Sequence, residues 1–389
     1  MTKNFCAAPW RGLHIQVDGG ISTCCAGGFK LGNINTGTIE SALASDKLKK
    51  VMESMKQGKL PEDYCGYCIN AKGKGLNSEQ DWHNSHNKDF EIDNATDEYQ
   101  YPVIFDARWN NTCNSVCIYC QPYFSSKWAS TLNSHEQKPN QDNKSKIKTF
   151  FLDKSDRLKT VAMVGGEPLL MKENSDLLDV IPPHVKIDII SNLSSDITKS
   201  KVFEKLLQRQ KVNWHISLEN IGERYEYVRQ GSKWQTLINN LKTLGKEVRN
   251  PPEKNDHEIQ FMSLFHLLNA THLCELKDFA KEAVSFFPYK FDKSNPHSKN
   301  IEIVWQDYTA PIELVPENYG ADVSKKIIAE IEKYLSVDST PIEQTYFQPK
   351  IKSFNNVSTY TDDKTKKKFS VFINKNEKLF KNTNKFNKL

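Results

Sequence analysis

The sequence predicts an α/β fold: a partial (β/α)6 barrel preceded by a small cysteine-rich domain. Three observations predict it. From residue 101 onward, short runs rich in β-branched and aromatic residues alternate with longer helical patterns. The first hundred residues hold most of the cysteines and several glycine turns (Gly19-Gly20, Gly27-Gly28, Gly32-Asn33). The 389 residues suffice for one domain of about 200–250 residues with smaller appendages.

The candidate strands are 103–107, 160–164, 185–190, 212–217, 258–265 and 300–305. Helical patterns fall between them, clearest at 197–208, 234–248 and 273–286. Alternation at this pitch signals parallel βαβ units with right-handed crossovers. Ligand chemistry then belongs at the carboxyl ends of the strands. Before the barrel, residues 39–57 read as one helix with Leu43, Leu48, Val51, Met52 and Met55 on its apolar face. The expected division is residues 1–76 for the cysteine-rich domain, 77–100 for a polar linker and 101–335 for the barrel. A last helix is expected at 323–335, and 336–389 reads as a Lys- and Asn-rich, loosely ordered C-terminal extension.

Composition excludes several classes. Hydrophobic residues at 38% and charged residues at 26% suit a packed core rather than a disordered chain. Lys and Arg (53) nearly balance Asp and Glu (48), so nucleic acid is not an expected partner of the whole chain. The basic excess lies in 364–389, with nine lysines against one acid, Glu377; such tails are usually solvated ends. No run of 18 apolar residues and no secretory signal is present, so a cytoplasmic protein with reduced thiols and no membrane contact is expected.

Nine cysteines in a reducing compartment call for a reason other than disulfides. Cys113, Cys117 and Cys120 have the spacing C-x3-C-x2-C just after the first barrel strand. By composition, about 0.005 such triplets would arise by chance. Thiolates are preferred ligands of iron–sulfur clusters, and three of them leave one iron of a cubane open. Structural zinc is the alternative, but it favours four ligands, usually as two C-x2-C pairs. The next candidate here, His135, stands 15 residues beyond Cys120 in a polar stretch.

With its flanks, FDARWNNTCNSVCIYCQPYFSSKW resembles the signature of the radical S-adenosylmethionine (SAM) superfamily, whose members share a partial TIM-like barrel. Further elements resemble that superfamily in order along the chain. Gly165-Gly166-Glu167-Pro168, ending the second strand, resembles the motif that binds the SAM amino group. Ser191-Asn192 ends the third, where polar contacts to ribose are found. His215-Ile216-Ser217-Leu218-Glu219 resembles a Ser-Ile-Asp segment with Glu in place of Asp. Tyr227-Val228-Arg229-Gln230-Gly231 resembles an Ile-Arg-x-Gly turn whose arginine reaches the SAM carboxylate or the substrate. The resemblance covers about 101–310. It implies SAM as cofactor on a [4Fe–4S] cluster held by Cys113, Cys117 and Cys120. Tyr119, Gly165, Gly166, Glu167, Ser191, Asn192, Ser217 and Arg229 are the implied cofactor contacts. Tyr119 would stack on adenine, and Glu167 would hold the amine or brace its loop.

Cys6, Cys24, Cys65 and Cys68 form a second constellation, with Cys65-Gly66-Tyr67-Cys68 as a C-x2-C knuckle. Together with Pro9-Trp10 and Leu31-Gly32-Asn33-Ile34, it resembles the twitch domain, the short form of the SPASM domain. Here it is placed before the barrel. The resemblance implies one auxiliary [4Fe–4S] cluster. Neighbours on a strand face opposite sides, so one of Cys24 and Cys25 faces that cluster, and the spacing from Gly19 selects Cys24. Structural zinc is again the alternative. His83 and His86 lie in a polar segment and read as solvated, while Cys274 reads as a core residue beside Leu273, Leu276 and Phe279.

The implied activity is reductive cleavage of SAM to a 5′-deoxyadenosyl radical, which abstracts hydrogen from a peptide or small-metabolite substrate. Net oxidation through the auxiliary cluster makes it a radical SAM oxidoreductase of maturase type. Glu219, Arg229 and Tyr227 are the candidates for handling the substrate proton. An external electron donor, such as a flavodoxin or ferredoxin, is the implied protein partner. A radical SAM enzyme modifying RNA and a non-enzymatic, zinc-structured binding module are the alternatives.

Overall fold

The structure is a computed structural model describing residues 4–73, 78–134, 141–248, 256–288, 290, 301–307, 311–357 and 361–380. His135 and the last nine residues of the basic tail lie outside them. The amino-terminal part opens with α1 (Ala8–Arg11), β1 (Gly12–Ile15), β2 (Gly20–Ser22) and β3 (Gly32–Asn33). Gly19, at φ +81°, turns the β1–β2 hairpin, a conformation that favours glycine. Next come α2 (Ile39–Leu43), α3 (Asp46–Lys56), α4 (Glu62–Gly73) and α5 (Glu79–His86). The helix expected over 39–57 is therefore two. Ser45 accepts a hydrogen bond from Leu48 N and starts the second, as an N-cap serine does.

The segment expected to be a linker carries α5, and its polar side chains are spent on the backbone. Gln80 and Asn84 both donate to the Phe5 carbonyl, at 2.6 and 2.8 Å. His83, expected in solvent, is 3% exposed.

The remaining strands are β4 (Ile104–Ala107), β5 (Val116–Cys117), β6 (Thr160–Met163), β7 (Lys186–Ser191), β8 (Lys211–Ser217), β9 (Arg229–Gln230), β10 (Asp256–Phe265) and β11 (Glu302–Asp307). Between and after them lie α6 (Ser126–Thr131), α7 (Gln141–Lys154), α8 (Lys172–Leu178), α9 (Lys201–Leu207), α10 (Gly222–Val228), α11 (Trp234–Glu247), α12 (Leu273–Ala283), α13 (Ala321–Leu335), α14 (Pro341–Asn355) and α15 (Asp363–Phe380). All six expected barrel strands are present and pair in parallel, in the order β4-β6-β7-β8-β10-β11. This is the α/β, open-barrel fold expected. β1 extends it: it pairs in parallel with β4, and β2 and β3 follow antiparallel, giving a nine-stranded sheet. The cysteine-rich part thus shares a sheet with the barrel, a nonlocal pairing that local sequence does not signal.

Strand alternation divides the sheet faces. Val212, Trp214 and Ile216 face the helices, where Trp214 meets Phe203 of α9 at 5.7 Å between ring centroids. Phe105 meets Phe151 of α7, and Phe261 meets Phe279 of α12, on the same side. The alternate positions, Asn213, His215 and Ser217, point to the other face, which is polar.

The extension beyond 336 is not loose where described. Thr340 and Glu343 form a capping box that opens α14, and Phe347 packs on Trp305 of β11 at 5.2 Å. Phe369 and Ile373 of α15 join an apolar cluster with Ile118, Tyr227, Leu314 and Tyr319. Among the described residues no helix is long and apolar enough to cross a membrane.

Candidate functional site

Two sets of cysteines emerge, one in the amino-terminal part and one on the loop after β4. In the amino-terminal part, Cys6, Cys24, Cys65 and Cys68 line one cavity, closed by Ala8, Pro9, Met55, Leu60, Tyr64 and Gln80 among others. Tyr64 sets the geometry. Its hydroxyl accepts from Thr23 N at 3.1 Å, beside Cys24, and its carbonyl accepts from Gly28 N at 3.0 Å. Gly28 permits that approach, since a Cβ there would lie 2.0 Å from the Asp63 carbonyl. The Cys6 loop is held by Gln80 and Asn84 of α5, and Asn84 Oδ1 also accepts from Ala7 N at 2.9 Å. Sequence reading missed these three holders, Tyr64, Gln80 and Asn84; a polar segment spent on backbone groups looks like a linker.

Burial pushes the Cys6, Cys65 and Cys68 thiols up, Cys65 to about 12; Cys68 adds to the effect at Cys6 and Cys65, and Glu79 adds to it at Cys68. Enclosure among four thiols, opposed at Cys6 by the Lys72 ammonium, keeps them protonated and inert until a metal displaces the protons. Among the described residues, no three His, Cys, Asp or Glu side chains gather around one point as ligands to a single ion would; the four thiols line a wall instead. The donor set fits a thiolate-bound iron–sulfur cluster. Cys24 lines the cavity and Cys25 does not; the Cys25 thiol lies near both the Cys24 thiol and the Glu79 carboxyl.

The second set lies on the loop following β4. Cys113 N donates to Ser126 Oγ (3.1 Å), and Trp128 Nε1 donates to the Cys117 carbonyl (2.7 Å), so α6 clamps the loop. β5 pairs Cys117 with Arg229 of β9. Burial raises the Cys113 thiol to about 12, and Cys117, close by, adds to it; Cys120 is raised likewise. Arg229 opposes this at Cys117: its Nη1 lies 3.8 Å from Cys117 Sγ. The three thiols act on one another electrostatically, and their number and softness fit a cluster with an open iron corner.

Arg229 also grips Glu219 with two bonds, Nε to Oε2 at 2.8 Å and Nη2 to Oε1 at 2.7 Å. Tyr119 donates to the same Oε2 at 2.7 Å, and its ring lies 5.4 Å from that of His266. Two of the residues named for substrate protons are therefore bound to each other at the cysteine loop. Tyr227 is buried in the apolar cluster with Ile118 and Phe369, apart from that pair in setting.

Gly165, at φ +116°, and Gly166 bring the loop after β6 against the cysteine loop. A Cβ on Gly166 would lie 2.2 Å from the Thr112 carbonyl, which accepts from Glu167 N at 2.7 Å. Glu167 is 1% exposed and spends both oxygens inside the fold, on Ser191 Oγ (2.7 Å), Asn192 N (2.8 Å) and Leu169 N (3.1 Å). Of its two expected roles, this geometry is that of a brace. Asn192 Nδ2 donates to Asn114 Oδ1 at 3.1 Å, so the ends of β6 and β7 and the cysteine loop form one hydrogen-bonded unit. Ser217 stands at the end of β8 on the polar sheet face.

Residues 6–69 match the sequence profile of SPASM, an iron–sulfur cluster-binding domain. No curated protein matches the chain. Among solved structures, the fold is similar to TYW1 with a lysine-pyruvate adduct bound, at 13% identity and TM-score 0.37, covering 61% of this chain and 74% of that one. It is similar also to Streptococcus suis SuiB bound to the precursor peptide SuiA, at 14% identity and TM-score 0.43, covering 79% and 64%. SuiB alone gives 14% identity and TM-score 0.42, with 82% and 67% covered. The span of the sequence match contains all four thiols that share the amino-terminal cavity, and the chain accordingly carries a SPASM-type iron–sulfur cluster-binding domain ahead of its parallel sheet.

Proposed function

We propose that the chain is a radical SAM enzyme, with Cys113, Cys117 and Cys120 as ligands of the catalytic [4Fe–4S] cluster. Cys6, Cys24, Cys65 and Cys68 would hold the auxiliary one. The observation that carries this is the three-thiol loop at the carboxyl end of the parallel strands, joined by hydrogen bonds to the Gly165–Glu167 turn and to Asn192. That is where an α/β sheet binds its ligands. When bound, the reduced cluster supplies cleavage of SAM to methionine and a 5′-deoxyadenosyl radical.

The protein's own residues orient and shield. Glu167 fixes the glycine turn, whose carbonyls can accept from the SAM ammonium. Arg229, already beside Cys117, is the cation suited to the SAM carboxylate, and Glu219 holds it in place. Tyr119, Ser191, Asn192 and Ser217 complete the proposed cofactor contacts. The substrate, a peptide or small metabolite, would lose a hydrogen atom to the adenosyl radical, then one electron to the auxiliary cluster and one proton toward the Glu219–Arg229 pair; an external reductant would supply the electron that cleaves SAM.

Anaerobic reconstitution followed by dithionite and SAM tests this. The expected result is about eight irons per chain and release of 5′-deoxyadenosine. Zinc at about two per chain, with no adenosyl product, overturns it in favour of a zinc-structured module.

A further inference from the structure

We propose that Asp188, Asn213 and His215, on the polar face of the sheet, bind an uncharged hydrogen-bonding group of the substrate, an amide or a hydroxyl. This rests on the radical SAM reading and names the class of molecule that the reaction acts on.

The three residues share a face. β7 and β8 pair Asp188 with Asn213 and Ile190 with His215, and parallel pairing points paired residues the same way. The opposite face is the one that packs against the helices. On the neighbouring strand, Asp188 is paired with Ala162, whose methyl leaves room beside the carboxylate.

These groups are largely enclosed, and one of their ring nitrogens is unspent. Asp188 and Asn213 are each 8% exposed. Asp188 Oδ1 is paired with the Lys186 ammonium, whereas His215 Nδ1 is buried without a hydrogen-bond partner among the described residues. Buried polar groups nearly always have such partners, and leaving them without costs stability. A row of apolar residues would serve the fold better, so this polarity points to a ligand.

Charge on this face is already balanced. Lys186 Nζ lies 3.2 Å from Asp188 Oδ1, and His215 Nε2 lies 4.0 Å from the same oxygen. Farther along the row, Asp106 is gripped by Arg108 at 3.1 and 3.0 Å. Burial lowers the His215 pKa, keeping the imidazole neutral, one donor and one acceptor. The site therefore offers acceptors and donors together rather than a net field for an ion. Along β8, each second residue advances about 6.6 Å, so His215 stands one such step before Ser217 at the end of the strand. A substrate anchored at the row extends from there toward the cysteine loop.

The full reconstituted chain is compared with Asn213→Leu and His215→Leu by thermal unfolding and by saturation-transfer NMR. The probes are N-acetyl-asparagine amide, methyl glucoside and N-acetyl-leucine amide. His215→Leu is expected to raise Tm by about 2 °C, as removal of an unspent buried polar group should. At least one polar probe should bind the parent and lose most of its signal on Asn213→Leu. Loss in the amide arm identifies a peptide side chain; loss in the glucoside arm identifies a polyhydroxylated metabolite. An unchanged or lower Tm in His215→Leu marks the row as structural and overturns the proposal. So does absence of polar-probe binding to the parent, equal binding to Asn213→Leu, or equal binding of the leucine probe. A parent that binds a polar probe but releases no 5′-deoxyadenosine refutes the reaction and leaves this site. One that releases the product but binds no probe refutes the site alone.

Discussion

Arg229 holds Glu219 through two hydrogen bonds of 2.7 and 2.8 Å while its remaining nitrogen reaches Cys117 Sγ at 3.8 Å. Both side chains are almost wholly buried, so neither charge tolerates loss of the other. Arg229→Ala should destabilise the fold by about 3–5 kcal/mol, the usual result of leaving a buried charge uncompensated. The double variant Arg229→Met/Glu219→Leu should recover most of that stability. It should still fail to cleave SAM, because the cation beside Cys117 is gone. Thermal unfolding of the three proteins, with 5′-deoxyadenosine release alongside, separates the two effects; equal cleavage by the double variant and the parent would remove Arg229 from the site.

Gly166 is where the two loops meet most closely. A methyl there would lie 2.2 Å from the Thr112 carbonyl and 2.7 Å from that of Asn111. Both atoms are backbone, so the cysteine loop itself must shift. Gly166→Ala should therefore cost about 1–3 kcal/mol by overpacking and reduce iron at the three-cysteine site, leaving the auxiliary site filled. Reconstituted iron should drop toward about four per chain. An unchanged iron count and unchanged stability would show that the loops do not meet this way.

The two cysteine sets should come apart under substitution. Cys117→Ala should abolish 5′-deoxyadenosine formation, whereas Cys65→Ala should retain uncoupled cleavage while losing product. Each variant should hold about four irons fewer than the parent. Loss of cleavage in Cys65→Ala equal to that in Cys117→Ala, with the fold intact by circular dichroism, would show that the auxiliary site is required for the first chemical step.

Much of this arrangement was legible locally. The strands were, because Val212, Trp214 and Ile216 alternate with Asn213, His215 and Ser217 at the period of a half-polar sheet. The Cys113–Cys117–Cys120 spacing and the Cys65–Cys68 knuckle are local signals too, whereas Cys6 and Cys24 joined the second set only through the family resemblance. What escaped was nonlocal. Nothing near residues 12–15 announces their pairing with 104–107, and Gln80 and Asn84 look solvent-bound until the Phe5 carbonyl they serve is placed beside them. Glu167 has two roles on paper, and its bonds to Leu169, Ser191 and Asn192 exist only once the two loops are folded together.

His83 gives the fold an acid limit. Burial holds its pKa down to about 3, against 6.5 in an exposed chain, and its Nδ1 has no hydrogen-bond partner among the described residues. The unfolded chain thus binds a proton between those values that the folded chain refuses. Stability contributed by the neutral ring is complete above pH 6.5 and is lost as pH falls toward 3. Metal-free protein should show Tm falling over that interval, and His83→Leu should flatten the fall. A parallel pH profile for the two proteins would assign the acid sensitivity elsewhere.

The lysine-rich helix α15 bears on the cysteine loop as well. Phe369 and Ile373, four residues apart and so on one helix face, are buried in the cluster containing Ile118, which sits between Cys117 and Tyr119. The lysines at 366–368 face solvent. Ile373→Asp places a charge in that cluster and should release the helix, uncovering one side of the loop. Stability should fall by several kcal/mol, as expected for a buried unpaired charge, and trypsin should cut among the lysines sooner than in the parent. Reconstituted iron at the three-cysteine site should also be lost faster in air, with the auxiliary site unaffected. Rapid trypsin cleavage without faster iron loss would show that the helix contributes to stability alone.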